Sequence, residues 1–291
     1  MVETMLKHCI PVLTIAGSDS GGGAGIEADI KTIEALGGYA SAAITAVTAQ
    51  NTLGVAAVEA VTPSLVSRQI ETVMTDIEPK AVKIGMTCQA AVVSAIADSL
   101  RQYCRVPIVL DPVMVSTSGA KLLNDDAVSV MISKLIPMAT LLTPNIPEAE
   151  RLSGITCHKD ADYAEMAQSI LNMGCHAVLI KGGHALKENN AIDRLYIKVD
   201  KDKTETHIYS HSRVETNNTH GTGCTLSSAI AFYLACGLPL TDAVDQGISY
   251  LHDALLHAKD IQFGHGHGPV NHTFNPKVLI AGCGPCGRPH P

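Results

Sequence analysis

Apolar and small residues fill positions 10–16 without a charge among them, as a strand covered on both faces requires. A glycine-rich turn follows, Gly17-Ser18-Asp19-Ser20-Gly21-Gly22-Gly23-Ala24-Gly25, and apolar residues then recur at helical spacing over 26–36. The same alternation runs down the chain. Short apolar runs predict strands at 40–47, 81–84, 107–110, 140–142 and 177–180. Helical periods predict helices at 90–100, 124–136, 163–173, 222–236 and 242–258. Thr62-Pro63 opens another helix, with threonine as N-cap and proline at the first helical position. Its Leu65, Val66, Ile70, Val73, Met74 and Ile77 share one face. Pro147 begins a further helix. Residues 194–199 and 205–210 alternate apolar and polar, the pattern of an antiparallel hairpin at a sheet edge. About seven strand–helix units without a repeat or linker predict one three-layer α/β/α domain over 8–272. Its sheet is expected to be mostly parallel, with a small edge hairpin. Residues 273–291 form a Gly/Pro/Cys-containing tail.

Composition narrows the function. A net charge of −7 with no basic cluster argues against a nucleic-acid surface. No stretch reaches the ~18 apolar residues of a membrane span, and the first residues lack a basic leader pattern. The nine cysteines are odd in number and scattered among apolar positions, which fits reduced thiols in the cytoplasm better than a disulfide framework.

The most chemically loaded stretch is Asn217-Asn218-Thr219-His220-Gly221-Thr222-Gly223-Cys224, directly before the apolar helix at 226–236. A helix start carries unpaired N–H groups and the positive end of the dipole. Gly221 and Gly223 remove the side chains that would keep an anion away from them. Cys224 then stands in the first turn as a possible acid or base, or as a small buried residue. Other candidates sit at strand ends, where open α/β sheets bind ligands. These are Gln50, Asp111, the Asn145/Glu148 pair across a helix start, and Lys181 before two glycines, with Asp29 on the first helix. Each alone is also compatible with an ordinary polar surface residue. Gly23-x-Gly25-x-x-Ala28 mimics a dinucleotide fingerprint, but no acid ends the next strand to hold a ribose. His265, His267 and His272 lack a completing acid or cysteine nearby and are expected to be loop residues rather than zinc ligands. The lone Cys283-Gly284-Pro285-Cys286 has no second pair.

Taken together in order, these motifs resemble the hydroxymethylpyrimidine/phosphomethylpyrimidine kinases of thiamine biosynthesis, within the ribokinase-like superfamily. The match includes the turn at 14–29, Ala49-Gln50-Asn51-Thr52, Lys83-Ile84-Gly85-Met86 and Leu110-Asp111-Pro112-Val113-Met114. It continues through Thr143-Pro144-Asn145, Pro147-Glu148-Ala149, Lys181-Gly182-Gly183-His184, Asn218-Thr219-His220-Gly221-Thr222-Gly223-Cys224-Thr225 and Gly264-His265-Gly266 to Gly268-Pro269-Val270. The resemblance implies an ATP- and Mg²⁺-dependent kinase. It would phosphorylate 4-amino-5-hydroxymethyl-2-methylpyrimidine and then its monophosphate. Gly17, Asp29, Gln50, Met86 and Val113 would line the pyrimidine pocket. Asp111 and Glu148 would serve the metal, and Asn145, Lys181, Thr219 and Gly223 the nucleotide. Gly221, Thr222 and Gly223 would form the anion hole beside Lys181. Cys224 would be the base, its pKa lowered by the helix start. A homodimer is the family expectation. Pyridoxal kinase, from a branch with the same cysteine motif, is the nearest alternative, and a non-catalytic pyrimidine-binding protein a more distant one. Residues 116–120 and 187–190 are candidate mobile loops.

Overall fold

Val12, Leu13, Ile15 and Ala16 are all fully buried because the strand that carries them lies inside a sheet with helices on both sides. The computed structural model describes residues 8–115, 119, 122–182, 190–200 and 203–281. In chain order the main elements are β1 (Pro11–Asp19), α1 (Gly25–Ala35), β2 (Tyr39–Asn51), β3 (Gly54–Ala60) and α2 (Pro63–Asp76). Then come β4 (Ala81–Ile84), α3 (Ala90–Tyr103), β5 (Ile108–Leu110), α4 (Asp125–Val130), β6 (Leu141–Leu142) and α5 (Ile146–Ser153). The chain continues through α6 (Asp160–Leu171), β7 (Ala177–Ile180), β8 (Asn190–Asp200), β9 (Lys203–Ser212), α7 (Thr222–Ala235) and α8 (Leu240–Leu256). Among the described residues these strands form one sheet in the order β3-β2-β1-β4-β5-β6-β7-β8-β9. The pairs from β2 across to β7 are parallel; β3, β8 and β9 add antiparallel edges.

Strand alternation divides the core. Leu13, Ile15, Val82 and Ile84 point to the face covered by α2, α3 and α6, while Val12, Ala81 and Val109 meet Ile33 of α1, Leu226 and Ile230 of α7 and Ile248 of α8. Thr14 and Lys83 have the parity of Val12 and Ala81, so they join the α1/α7 face. That parity becomes important at the site. α7 is apolar or small nearly all round, and its residues 225–232 are buried.

Several boundaries differ from expectation for physical reasons. β3 was not anticipated, since most of its side chains are exposed and leave no apolar period. The helix expected over 124–136 is α only to Val130, then a π turn, Met131–Leu135, and a 3₁₀ turn, Ile136–Met138. Pro137 has no N–H to continue the ladder. Thr62 is the N-cap residue of α2, but its hydroxyl faces Ser64 Oγ at 3.4 Å instead of a helix N–H. The segment expected as a tail packs on the domain as far as it is described. Lys277 N donates to Ala35 O and Ile280 N to Gly37 O, while Phe274 stacks on His257. Cys283 and Cys286 lie outside the described residues, as does most of each expected mobile loop. No helix among the described residues is long and apolar enough to cross a membrane.

Candidate active site

The parallel strands aim their C-terminal ends at one edge of the domain, and the loops there enclose a cavity of about 800 Å³. Gly17, Gln50, Met86, Asp111, Val113, Asn145, Glu148, Lys181, Thr219, Gly221, Thr222, Gly223 and Cys224 all line it. Of the residues expected at the site, only Asp29 does not.

One end is built by glycines. A Cβ on Gly17 would stand 2.3 Å from Met86 Cε, so the glycine makes room for the methionine against the β1 end. Thr45 Oγ1 fixes the Met86 carbonyl at 2.6 Å. Gln50, at the end of β2, sits beside Thr48 and His220.

The other end holds charge. Lys181 Nζ donates to Asp111 Oδ1 at 2.9 Å, and Thr143 Oγ1 donates to the same oxygen at 3.1 Å. Burial works against the Lys181 charge, but Asp111 and Glu148 outweigh it and raise its pKa. Asn145 and Glu148 form a reciprocal capping box at the start of α5, each side chain accepting from the other's backbone N–H at 2.9 Å. Glu148 is nevertheless pushed up from 4.5 to about 7, by burial first and then by Asp111, with Lys181 opposing. Two adjacent carboxylates sharing one ammonium lack positive charge, and their hard oxygens are the donors Mg²⁺ prefers.

α7 begins against this cluster. Its N-cap Gly221 has φ +79°, and a Cβ there would fall 1.9 Å from Gly23 O. A Cβ on Gly223 would lie 3.2 Å from Asp111 Oδ2 and 3.3 Å from Lys181 Nζ. The helix-start N–H groups therefore open beside the Asp111–Lys181 pair, the geometry expected of an anion hole.

Two expectations need correction. Asp29 is fully buried and belongs to the wall behind the cavity. Both its carboxylate oxygens accept from Lys83 Nζ at 2.8 Å, and Thr14 Oγ1 and Ser228 Oγ donate to it at 2.5 and 2.7 Å. Every valence it could offer a substrate is already used by β1, β4 and α7. The Cys224 pKa is also not lowered. Burial pushes it up to about 11, and Asp29 and Asp111 add to this; Lys83 and the Gly25 N–H oppose without prevailing. The helix start alone does not make a resting thiolate here.

Asp19 and His220 were passed over as site residues, although both stand inside quoted motifs. Asp19 ends β1 and accepts from the N–H groups of Gly21, Gly23 and Ala24 at 2.8, 3.1 and 2.9 Å. His220 Nε2 lies 2.8 Å from Asp19 Oδ2. The partners are 201 residues apart, so no local pattern announces them. His272 is buried and meets Thr225 Oγ1 at 3.1 Å, with its pKa lowered to about 4 by burial and then by Lys31 and His220. His265 and His267 are exposed loop residues.

A mostly parallel α/β sheet whose strand ends and α7 start open, beside a lysine–carboxylate cluster, into one cavity of about 800 Å³ is the frame of a ribokinase-like small-molecule kinase. A family profile described as phosphomethylpyrimidine kinase matches residues 19–271, and the chain belongs to that family. It is 49% identical over 261 residues to the hydroxymethylpyrimidine/phosphomethylpyrimidine kinase of Rhizobium meliloti (strain 1021), covering 89% of this chain and 96% of the relative. The crystal structure of phosphomethylpyrimidine kinase from Clostridium difficile 630 superposes with a TM-score of 0.73 at 45% identity, covering 84% of this chain and 99% of that one. Pyridoxal kinase from Staphylococcus aureus, in complex with AMP-PCP and pyridoxal, gives a TM-score of 0.81 at 31% identity, covering 91% and 94%. The chain is a phosphotransferase.

Proposed function

We propose that the enzyme transfers the γ-phosphoryl of ATP to the hydroxymethyl group of 4-amino-5-hydroxymethyl-2-methylpyrimidine. The monophosphate is then carried to the diphosphate, supplying thiamine biosynthesis. The observation that carries this reading is one cavity lined by Gly17, Met86 and Gln50 and also by the α7 start with Lys181 and Asp111. The substrate hydroxyl attacks in line, its proton passes to Cys224 in the fraction of molecules that hold the thiolate, and ADP leaves. Helix-start N–H groups and Lys181 stabilise charge on the transferring phosphoryl, which needs positioning more than covalent help. Asn145 and Thr219 serve the nucleotide, and Val113 packs on the substrate ring. Asp111 and Glu148 would hold Mg²⁺, which supplies charge neutralisation between phosphates when bound. A cytoplasmic homodimer completes the reading.

Similarity to a pyridoxal kinase makes pyridoxal the control substrate. ATP consumption should be measured with Mg²⁺ and each of hydroxymethylpyrimidine, its monophosphate and pyridoxal. Turnover of both pyrimidines above pyridoxal is expected. Turnover of pyridoxal alone would move the enzyme to vitamin B6 chemistry, and pyrimidine binding without turnover would end the kinase assignment for this substrate.

The raised Glu148 pKa gives a second expectation. Its folded value lies above its ordinary one, so the folded state holds the extra proton between pH 4.5 and about 7. Glu148 therefore contributes less stability as pH rises through that window. Mg²⁺ binds the deprotonated pair, so it should raise the melting temperature more at pH 7.5 than at pH 5.5. Glu148→Gln should flatten that difference, and an equal Mg²⁺ effect at both pH values would remove Glu148 from the metal site.

A further inference from the structure

The Asp19–His220 and Thr48–Ser18 hydrogen bonds bear on which way the Gln50 amide points. As placed, the amide nitrogen Nε2 lies 3.2 Å from His220 Nε2 and the amide oxygen Oε1 3.4 Å from Thr48 Oγ1, and the hydrogen-bonding requirements at both contacts call for the two to be exchanged. Asp19 accepts three backbone N–H bonds as well as the contact to His220. Burial opposes its charge, but the His220 hydrogen bond and those backbone donors hold its carboxyl below the usual carboxylate range. It is ionised and can only accept, so the 2.8 Å contact requires His220 Nε2 to carry the hydrogen. A ring nitrogen bearing hydrogen cannot also accept from an amide NH₂. The amide oxygen faces it instead and shares, at 3.2 Å, the hydrogen that Nε2 gives mainly to Asp19 Oδ2 at 2.8 Å.

The other end of the amide gives the same answer independently. Thr48 Oγ1 donates its single proton to Ser18 O at 2.9 Å. It can then only accept from the Gln50 group 3.4 Å away, which must be the NH₂. Oxygen and nitrogen of a side-chain amide are nearly equal in size, so only the network assigns them. The imidazole itself is held in place. A Cβ on Gly23 would stand 2.6 Å from His220 Cδ2, and His220 N donates to Gly268 O at 3.0 Å.

We propose that Asp19 and His220 are positioning residues that lock the Gln50 amide with its oxygen toward the imidazole and its nitrogen toward Thr48, and that this orientation determines selection of the aminopyrimidine. So fixed, Gln50 retains one N–H and one lone pair, side by side, for a ligand in the cavity. A ring nitrogen next to an exocyclic amino group presents the complementary acceptor and donor. The same two-bond pairing joins glutamine or asparagine to adenine N7 and N6. Pyridoxal has no amino group beside its ring nitrogen and cannot make both bonds. The proposal rests on Gln50 being the substrate contact of the reading above.

The test is a cycle of Gln50→Ala, His220→Phe and the double variant, with His220→Gln as the variant that restores an N–H donor. The Michaelis constants for hydroxymethylpyrimidine, pyridoxal and ATP are measured for each, with melting temperatures. His220→Phe should raise KM for the pyrimidine up to about tenfold, the worth of a good hydrogen bond. KM for ATP and for pyridoxal should stay near the wild-type values. His220→Gln should recover part of the loss, and His220→Phe should add nothing in the Gln50→Ala background. An additive double variant, or equal increases for pyrimidine and pyridoxal, would overturn the positioning role while leaving Gln50 as a contact. An unchanged pyrimidine KM in Gln50→Ala alone would overturn the contact itself, and the proposal with it.

Discussion

Replacing Cys224 by alanine is expected to lower kcat about 100-fold, the low end of the contribution of a positioned general base. The melting temperature should stay near that of the wild-type enzyme. The low end is chosen because the thiol resists ionisation. Burial raises its pKa to about 11, with Asp29 and Asp111 adding to the shift, so few molecules hold a thiolate at neutral pH. Phosphoryl transfer through a loose transition state tolerates this, since the attacking hydroxyl needs its proton removed only late. The proposed anion hole at Gly221 and Gly223 and the Lys181–Asp111 pair remain in the variant and should preserve the rest of the acceleration. The pH profile gives the sign. The thiolate fraction grows as pH rises toward about 11, so wild-type kcat should climb on the alkaline side, and Cys224→Ala should lose that climb. A variant with wild-type kcat would remove Cys224 from the chemistry, whatever the profile.

The second large effect is on the fold. Lys83→Met should destabilise the enzyme by about 3–5 kcal/mol, because it strands a carboxylate inside the protein. Lys83 and Asp29 are both 0% exposed, and their contacts join β4 to α1. Thr14 and Ser228 extend the network to β1 and α7. Ser228 lies one helical turn beyond Cys224 on the same face of α7, so the network also ties α7 to the sheet below the proposed base. For a chain of this size the loss corresponds to roughly 6–20 °C in melting temperature. Adding Asp29→Asn should return a substantial part of it, since the stranded charge is then gone. Thermal denaturation of the two single variants and the double variant reads this directly. A double variant as unstable as the sum of the singles would show that the ion pair is not the unit that matters.

The proposed selection of the pyrimidine by Gln50 depends on contacts of a different range. Gln50 was legible because it ends a strand inside a family motif. Asp19 and His220 were not, since their value depends on meeting each other and the amide across the cavity mouth.

The sequence alone determined what is decided locally. The apolar runs and helical periods set the order of nearly all strands and helices, because strand parity and helix faces are written residue by residue. The Asn145–Glu148 pair and the glycines before α7 marked two helix starts, because such starts depend on a few neighbouring residues; the capping box and the left-handed Gly221 came from the structure. Gly17 and Met86 could be placed in the same pocket by their motifs. Tertiary structure decided what depends on company. Asp29 left the pocket because Lys83 and Ser228, 54 and 199 residues away in sequence, satisfy it first. The Cys224 pKa is raised because burial and two carboxylates from other elements outweigh Lys83 and the Gly25 N–H. β3 formed by pairing with β2, without an apolar face of its own. Burial and charge act through space, and a sequence records distance only along the chain.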